Sequence, residues 1–317
     1  MSPTNSAEPA AAISNEVAQQ YLSFLRIQRR LSPNTLQGYE RDIALLHGQL
    51  PQKQLATFTA QDIKRGLASL HSKGLSPRSI ARLLSAWRGY FAYAVTHGVV
   101  TTNLTAGLKP PKAAKTLPKA LSPDEAVALV HEVAQDTDDT STTTRLRDHA
   151  MFELLYSSGL RVSELTDLNC TEIDVSNALV RVTGKGSKTR IIPIGAQAVE
   201  ALNAWFAVRP LYLNANNIED ADAAFITPTG QRVYPRLVQR TIKKWAAEKG
   251  ISQDVHPHML RHSFASHVLQ SSGDLRAVQE MLGHASITST QVYTHLDFQH
   301  LAKVYDVAHP RAKLKTK

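Results

Sequence analysis

At 317 residues and 43% hydrophobic content, the chain can bury one large core or two ordinary ones, and two domains suit it better. Its 36 Lys and Arg against 27 Asp and Glu leave +9 at neutral pH, a balance that suits a polyanionic partner. The single cysteine, Cys170, excludes an intramolecular disulfide and agrees with a reducing compartment. No apolar run approaches the roughly 18 residues of a membrane span, and the first residues lack the basic start and apolar stretch of a secretion signal, so the chain is expected in the cytoplasm with no membrane insertion.

The charge is unevenly placed. Residues 1–115 hold 14 basic and 5 acidic side chains, whereas the remaining 202 residues hold 22 of each. All the net charge therefore sits in the N-terminal third. A purely solubilising excess would be scattered, so this third is the expected nucleic-acid-binding region.

Residues 1–14, rich in Ala, Ser and Pro, are expected to be disordered. From 15 to 108 the pattern is helical throughout. Val17, Tyr21, Leu22, Phe24 and Leu25 recur at three- and four-residue spacing. Ser32 and Pro33 supply the cap and first turn of a helix through Leu36, Tyr39, Ile43 and Leu46. Thr59 to Leu70 repeats the pattern, and Ser76-Pro77 opens a long helix through Ile80, Leu83, Trp87, Phe91 and Val95 that ends at Gly98. Four helices with basic residues between the apolar ones fit a DNA-clamping module, with Arg78, Arg82 and Arg88 as candidate phosphate contacts; a plain bundle with snorkelling arginines is the alternative.

The stretch from Lys109-Pro110-Pro111-Lys112 to Pro118 suits neither helix nor strand, which places an interdomain linker at 109–120 and a second domain at 121–317. That domain opens on Ser122-Pro123-Asp124-Glu125, a helix start with acidic residues in the first turn. Helices are predicted at 124–134 and 145–157. Gly159 then breaks the chain just before Arg161, and a helix from Val162 to Leu168 sets Arg161 at an N-terminus where backbone amides favour an anion. A surface salt bridge between Arg161 and Glu164 is the competing account. Residues 178–194 alternate as a hairpin does, through Leu179, Val180 and Val182, a turn at Gly184-Lys185-Gly186-Ser187-Lys188, then Ile191, Ile192 and Ile194. Further helices are predicted at 196–207, 235–248, 258–270, 274–282 and about 288–305. His258 and Arg261 share a face of the helix opened by Pro257, and Gly283 ends the next helix so that His284 falls in the following turn.

Several chemistries can be set aside. His258 and His262 have the spacing of zinc ligands on a helix, but the HExxH glutamate is missing. There is no GxSxG elbow around Ser163, Cys170 has no catalytic signature, and GKG is not a nucleotide-binding phosphate loop. No metal or cofactor is expected.

Arg161 in GLRVSEL, Lys185 in GKG, His258 and Arg261 in HPHMLRH, His284 in LGH and Tyr293 nine residues later resemble, in order and spacing, the active-site pattern of the tyrosine recombinase family. The resemblance covers nearly the whole chain. It implies a mainly α fold: an N-terminal helical, SAM-like core-binding domain, then an α+β catalytic domain with a small β-hairpin or sheet and a C-terminal interaction helix. The SPNTLQGYERD segment at 32–42 and VYDVAHPRAK at 304–313 are similar to the branch of the family that resolves chromosome dimers.

The resemblance also implies the chemistry. Tyr293 would attack a DNA phosphate and form a 3′-phosphotyrosyl link, with neither ATP nor metal. Arg161 and Arg261 would face the nonbridging oxygens, Lys185 would protonate the leaving 5′-oxygen, His258 would move the tyrosine proton and His284 would hydrogen-bond the phosphate. The implied partners are double-stranded DNA with a dif-like site, a second closely related recombinase in a heterotetramer, and a septal DNA translocase as activator. In such assemblies the apolar stripe of Leu296, Phe298, Leu301, Val304, Tyr305 and Val307 would dock on a neighbouring subunit. A phage or transposon integrase, a type IB topoisomerase and a non-catalytic DNA-binding protein remain the alternatives.

Overall fold

The computed structural model describes residues 8–51, 53–112, 120–131, 139–184, 189–214, 218–283, 301 and 304–312. The chain divides into two compact units, Met1–Thr116 and Leu117–Lys317.

The N-terminal unit is built from α1 (Glu8–Ile27), α2 (Pro33–Gln49), α3 (Ala60–Ser72) and α4 (Pro77–Thr96). Each later helix starts on a side-chain cap. Ser32 and Ser76 accept from the amides of Thr35 and Ser79, with a proline in the first turn of each helix. Thr59 and Asp62 form a reciprocal capping box for α3. Trp87, Tyr90, Phe91, Leu46, Ile63 and Leu83 close the core. α1 departs from the sequence-based expectation, because it begins at Glu8 inside the stretch predicted to be disordered. Pro9 in the first turn and the Ala10-Ala11-Ala12 run after it are strong helix starters, and this local propensity outweighs the low-complexity look of the segment.

The second unit surrounds one central helix. After α5 (Pro123–Val130), which starts on a Ser122–Glu125 capping box, comes α6 (Asp139–Ser158). Within α6, Ala150, Met151, Phe152, Leu154, Leu155 and Tyr156 are all fully buried, so the helix is enclosed on every side rather than on one stripe. α7 (Val162–Asp167) follows, then a three-stranded antiparallel sheet of β1 (Ile173–Asp174), β2 (Leu179–Thr183) and β3 (Thr189–Pro193) in that order. Val180 pairs with Ile192 and Val182 with Arg190. α8 (Ala196–Val208), α9 (Pro235–Glu248), α10 (Pro257–Ser272) and α11 (Leu275–Leu282) complete the unit, with α8 and α10 packed on α6. Among the described residues no helix is long and apolar enough to cross a membrane.

The first residues of this unit are fastened to α10. The Leu121 amide donates to Ser263 Oγ at 2.9 Å, and its carbonyl accepts from His267 Nε2 at 3.0 Å. His267 Nδ1 must then be the acceptor for the Tyr156 hydroxyl at 2.9 Å, which fixes the tautomer.

At the other end of the chain, residues 304–308 are helical. Leu301, Tyr305, Ala308 and Ala312 are buried with Phe264 and Val268 of α10 and Ala277, Val278 and Met281 of α11. Leu301 and Tyr305, two members of the apolar stripe of the C-terminal segment, pack within the chain. Val307, 81% exposed, is the member of that stripe left facing solvent, while Leu296 and Phe298 lie outside the described residues.

Candidate active site

The site begins where α6 ends. Gly159 adopts φ +61°, and a Cβ built there would lie 2.8 Å from Cε1 of Phe264, so neither the backbone nor the space admits another residue. The turn releases Arg161 as the residue that precedes α7. Its amide donates to Glu164 Oε2 and its Nη1 to Glu164 Oε1, both at 2.8 Å. The predicted Arg161–Glu164 pair thus exists, but the Glu164 carboxylate is 4% exposed and is no surface partner.

Two further arginines reach the same carboxylate from distant parts of the sequence. Arg190, on β3, donates Nη1 to Oε1 and Nη2 to Oε2, each at 2.9 Å, and its Nε to the Met281 carbonyl at 2.9 Å. Arg261, on α10, donates Nη1 to the Gly159 carbonyl at 2.5 Å and Nη2 to the Leu282 carbonyl at 2.7 Å, and its Nη1 stands 3.9 Å from Glu164 Oε2. Three guanidinium groups around one carboxylate leave an excess of two positive charges. Burial alone would raise the Glu164 carboxyl, but hydrogen bonds from Arg190 and from the Arg161 amide outweigh it and hold the group below the usual carboxylate range. Burial, with the Arg161 charge beside it, pushes Arg261 down to about 10. The cluster is therefore short of negative charge, and an incoming phosphodiester would supply it.

His258 is the second residue of α10, one turn before Arg261, on a helix capped by His256, whose Nδ1 accepts from the Met259 amide at 3.3 Å. Partial loss of hydration, and then the charges of His256, Arg261 and Arg161, lower its pKa below the ordinary imidazole value. It is neutral at pH 7 and able to accept a proton.

Of the six residues singled out for catalysis, the structure brings Arg161, His258 and Arg261 together. Lys185, His284 and Tyr293 lie outside the described residues. Glu164 and Arg190 were not anticipated as members of the site. A signal for Arg190 existed: in β3 it alternates inward with Ile192, so a charged side chain occupies a position that the strand period assigns to the core.

The candidate DNA contacts of the first unit differ among themselves. Arg78 is exposed near the start of α4. Arg82 forks onto the carboxylate of Asp42, with Nη2 to Oδ1 at 2.8 Å, and Asp42 is 1% exposed. Arg88 donates to the Leu108 carbonyl at 3.1 Å. The second unit has a basic face the sequence did not single out: Arg236, Arg240 and Lys243 lie along α9 beside the exposed ring of Tyr234. Its charge was hidden because acidic residues elsewhere in the unit balance the total.

Residues 119–300 match the phage integrase family and residues 18–98 its N-terminal SAM-like domain, and the chain belongs to that family, as a tyrosine site-specific recombinase. It is similar over nearly its full length to the tyrosine recombinase XerC of Ralstonia pickettii (strain 12J), 50% identical over 312 residues that cover 93% of this chain and 94% of the relative. The XerC of Chromobacterium violaceum is 46% identical over 303 residues, 96% of this chain and 97% of the relative. The fold is shared with a lambda integrase fragment dimer bound to a COC′ core site, with TM-score 0.66, 18% identity and coverage of 88% and 99%. It is shared also with the XerH recombinase bound to a palindromic difH substrate, with TM-score 0.64, 22% identity and coverage of 92% and 84%.

Proposed function

We propose that this recombinase acts in the cytoplasm on a dif-like site, paired with a XerD-type recombinase and activated by a septal DNA translocase, to resolve chromosome dimers before cell division. Residues 15–108 form the core-binding domain and 121–317 the catalytic domain. The observation that carries the catalytic part is the convergence of Arg161 and Arg261 on Glu164 with two positive charges uncompensated. The likeness to XerC proteins along the whole chain supports the biological setting. A non-catalytic DNA-binding protein would have no use for buried, cross-braced arginines beside a neutral histidine.

In the reaction the Tyr293 oxygen attacks phosphorus and its phenolic proton passes to His258. The bond from phosphorus to the 5′-oxygen breaks, that oxygen takes a proton from Lys185, and the phosphate remains linked through its 3′-oxygen side to Tyr293. A 5′-hydroxyl of the partner strand reverses these steps and restores a diester. Arg161 and Arg261 hold the nonbridging oxygens and stabilise the charge of the pentacoordinate state, while His284 hydrogen-bonds the phosphate. DNA is gripped through Arg78 in the first unit and the α9 face in the second.

Covalent trapping tests this. A nicked duplex with a dif-like site is incubated with the protein, with and without a XerD, and denatured. The expected result is a DNA-linked band that Tyr293→Phe abolishes and that the partner strengthens. Tight binding with no band on any site would overturn the catalytic assignment, and a band indifferent to the partner would overturn the pairing.

A further inference from the structure

We infer that Arg190 is a positioning residue for cleavage: it braces Glu164 from below, so that Glu164 holds Arg161 by one edge only and leaves the rest of that guanidinium for the scissile phosphate. The inference rests on the assignment of Arg161 to the phosphate.

The geometry separates the three arginines by availability. Arg190 is 6% exposed, and its Nε, Nη1 and Nη2 are each committed to the protein. Arg161 is 37% exposed and gives Glu164 a single side-chain donor. A buried carboxylate beside one arginine would draw that arginine into a two-pronged pair, the preferred geometry of the two groups. Arg190 occupies that geometry instead, with one bond to each carboxylate oxygen. What remains for Arg161 is a one-pronged contact that sets its direction without using up its donors.

Arg190 is itself fixed on two further sides. Its Nε is tied to the last turn of α11, and Gly283, at φ +64°, passes so close that a Cβ there would lie 3.1 Å from Nη1. A lysine in its place would carry the charge but could not make the fork and reach the Met281 carbonyl together.

The test uses the full-length protein and two versions of one DNA site, one natural and one with a single methylphosphonate at the scissile position, where no negative charge awaits a guanidinium. Arg190→Lys keeps the buried charges balanced, and Arg190→Met removes the brace outright. Misplacing a reacting group costs on the order of 10² in rate, and single-turnover formation of the covalent adduct on natural DNA should fall by about that much in Arg190→Met and by about tenfold or more in Arg190→Lys. On methylphosphonate DNA both losses should shrink, and so should the loss in Arg161→Ala. Arg161→Ala/Arg190→Lys should be no slower than Arg161→Ala alone.

A merely structural role predicts equal losses on the two substrates and additive effects, and either result overturns the inference. If Arg190→Met does not fold, Arg190→Lys decides, and wild-type cleavage by folded Arg190→Lys also overturns it. Wild-type cleavage by Arg161→Ala is a different failure, because it removes the phosphate assignment on which the inference stands.

Discussion

Arg190 and Arg261 donate to consecutive carbonyls, Met281 and Leu282, at the C-terminal end of α11. Those carbonyls have no partner within the helix, and they carry the negative end of its dipole. One helix end therefore anchors two arginines that arrive from a strand and from another helix, and it sets their separation.

Arg261→Ala removes a donor that is already aimed, and cleavage should fall by about 10² to 10³. Equilibrium DNA affinity should change little, since most of it comes from phosphate contacts elsewhere. Single-turnover cleavage and filter binding on the same site check both halves, and unaltered cleavage would remove Arg261 from the transition state.

Arg78 and Arg82 should part company. Arg82→Ala leaves Asp42 buried without its partner beneath Trp87, whose indole donates to the Asp42 carbonyl at 2.7 Å. The expected cost is about 2 kcal/mol of stability, read as a lower urea midpoint. Arg78→Ala should leave the midpoint unchanged and reduce the slope of log affinity against log salt by about 1. A wild-type midpoint in Arg82→Ala would show that the pair does not hold the unit together.

Gly159→Ala asks an alanine to adopt φ +61° against the Phe264 ring. The backbone alone should cost about 1 to 2 kcal/mol, and the ring contact adds to it. Because the Gly159 carbonyl holds Arg261, cleavage should drop by more than the loss of folded protein explains. Melting temperature and active-site titration separate the two effects.

Mild acid should destabilise the fold through its buried histidines. His47, His258, His267 and His309 are all held below the ordinary imidazole value, burial being the first cause for each, and His309 lies at about 3. The unfolded chain takes up these protons near pH 6.5 and the folded chain only at lower pH, so the unfolded state binds more protons in that window. Stability is complete above about 6.5 and falls as the pH drops below it. Urea midpoints at pH 7.5 and 5.5 should show the decline, with a shallower one in His309→Gln, and a flat profile would contradict it.

Much of the fold could be read from three Ser-Pro pairs, at Ser32, Ser76 and Ser122, since each joins a side-chain acceptor to a proline pre-set for the first turn. α6 starts six residues before the predicted 145, because Asp139-Thr-Ser-Thr-Thr-Thr has no apolar period to announce a helix. β1, two residues long, is too short for an alternating pattern. Arg161, His258 and Arg261 could be named because their spacing is local to short motifs. The Glu164–Arg190 contact spans 26 residues of sequence and joins a helix to a strand, and although the strand period marks Arg190 as inward-facing, no spacing rule names the carboxylate it meets.

The grip of Ser263 and His267 on Leu121 gives the first described residues of the second unit a fixed mooring on α10. Ser263 is two residues from Arg261. The helix that bears Arg261 and His258 is thereby pinned at its middle by a backbone amide and carbonyl held at once, so its register is set from outside the arginine cluster.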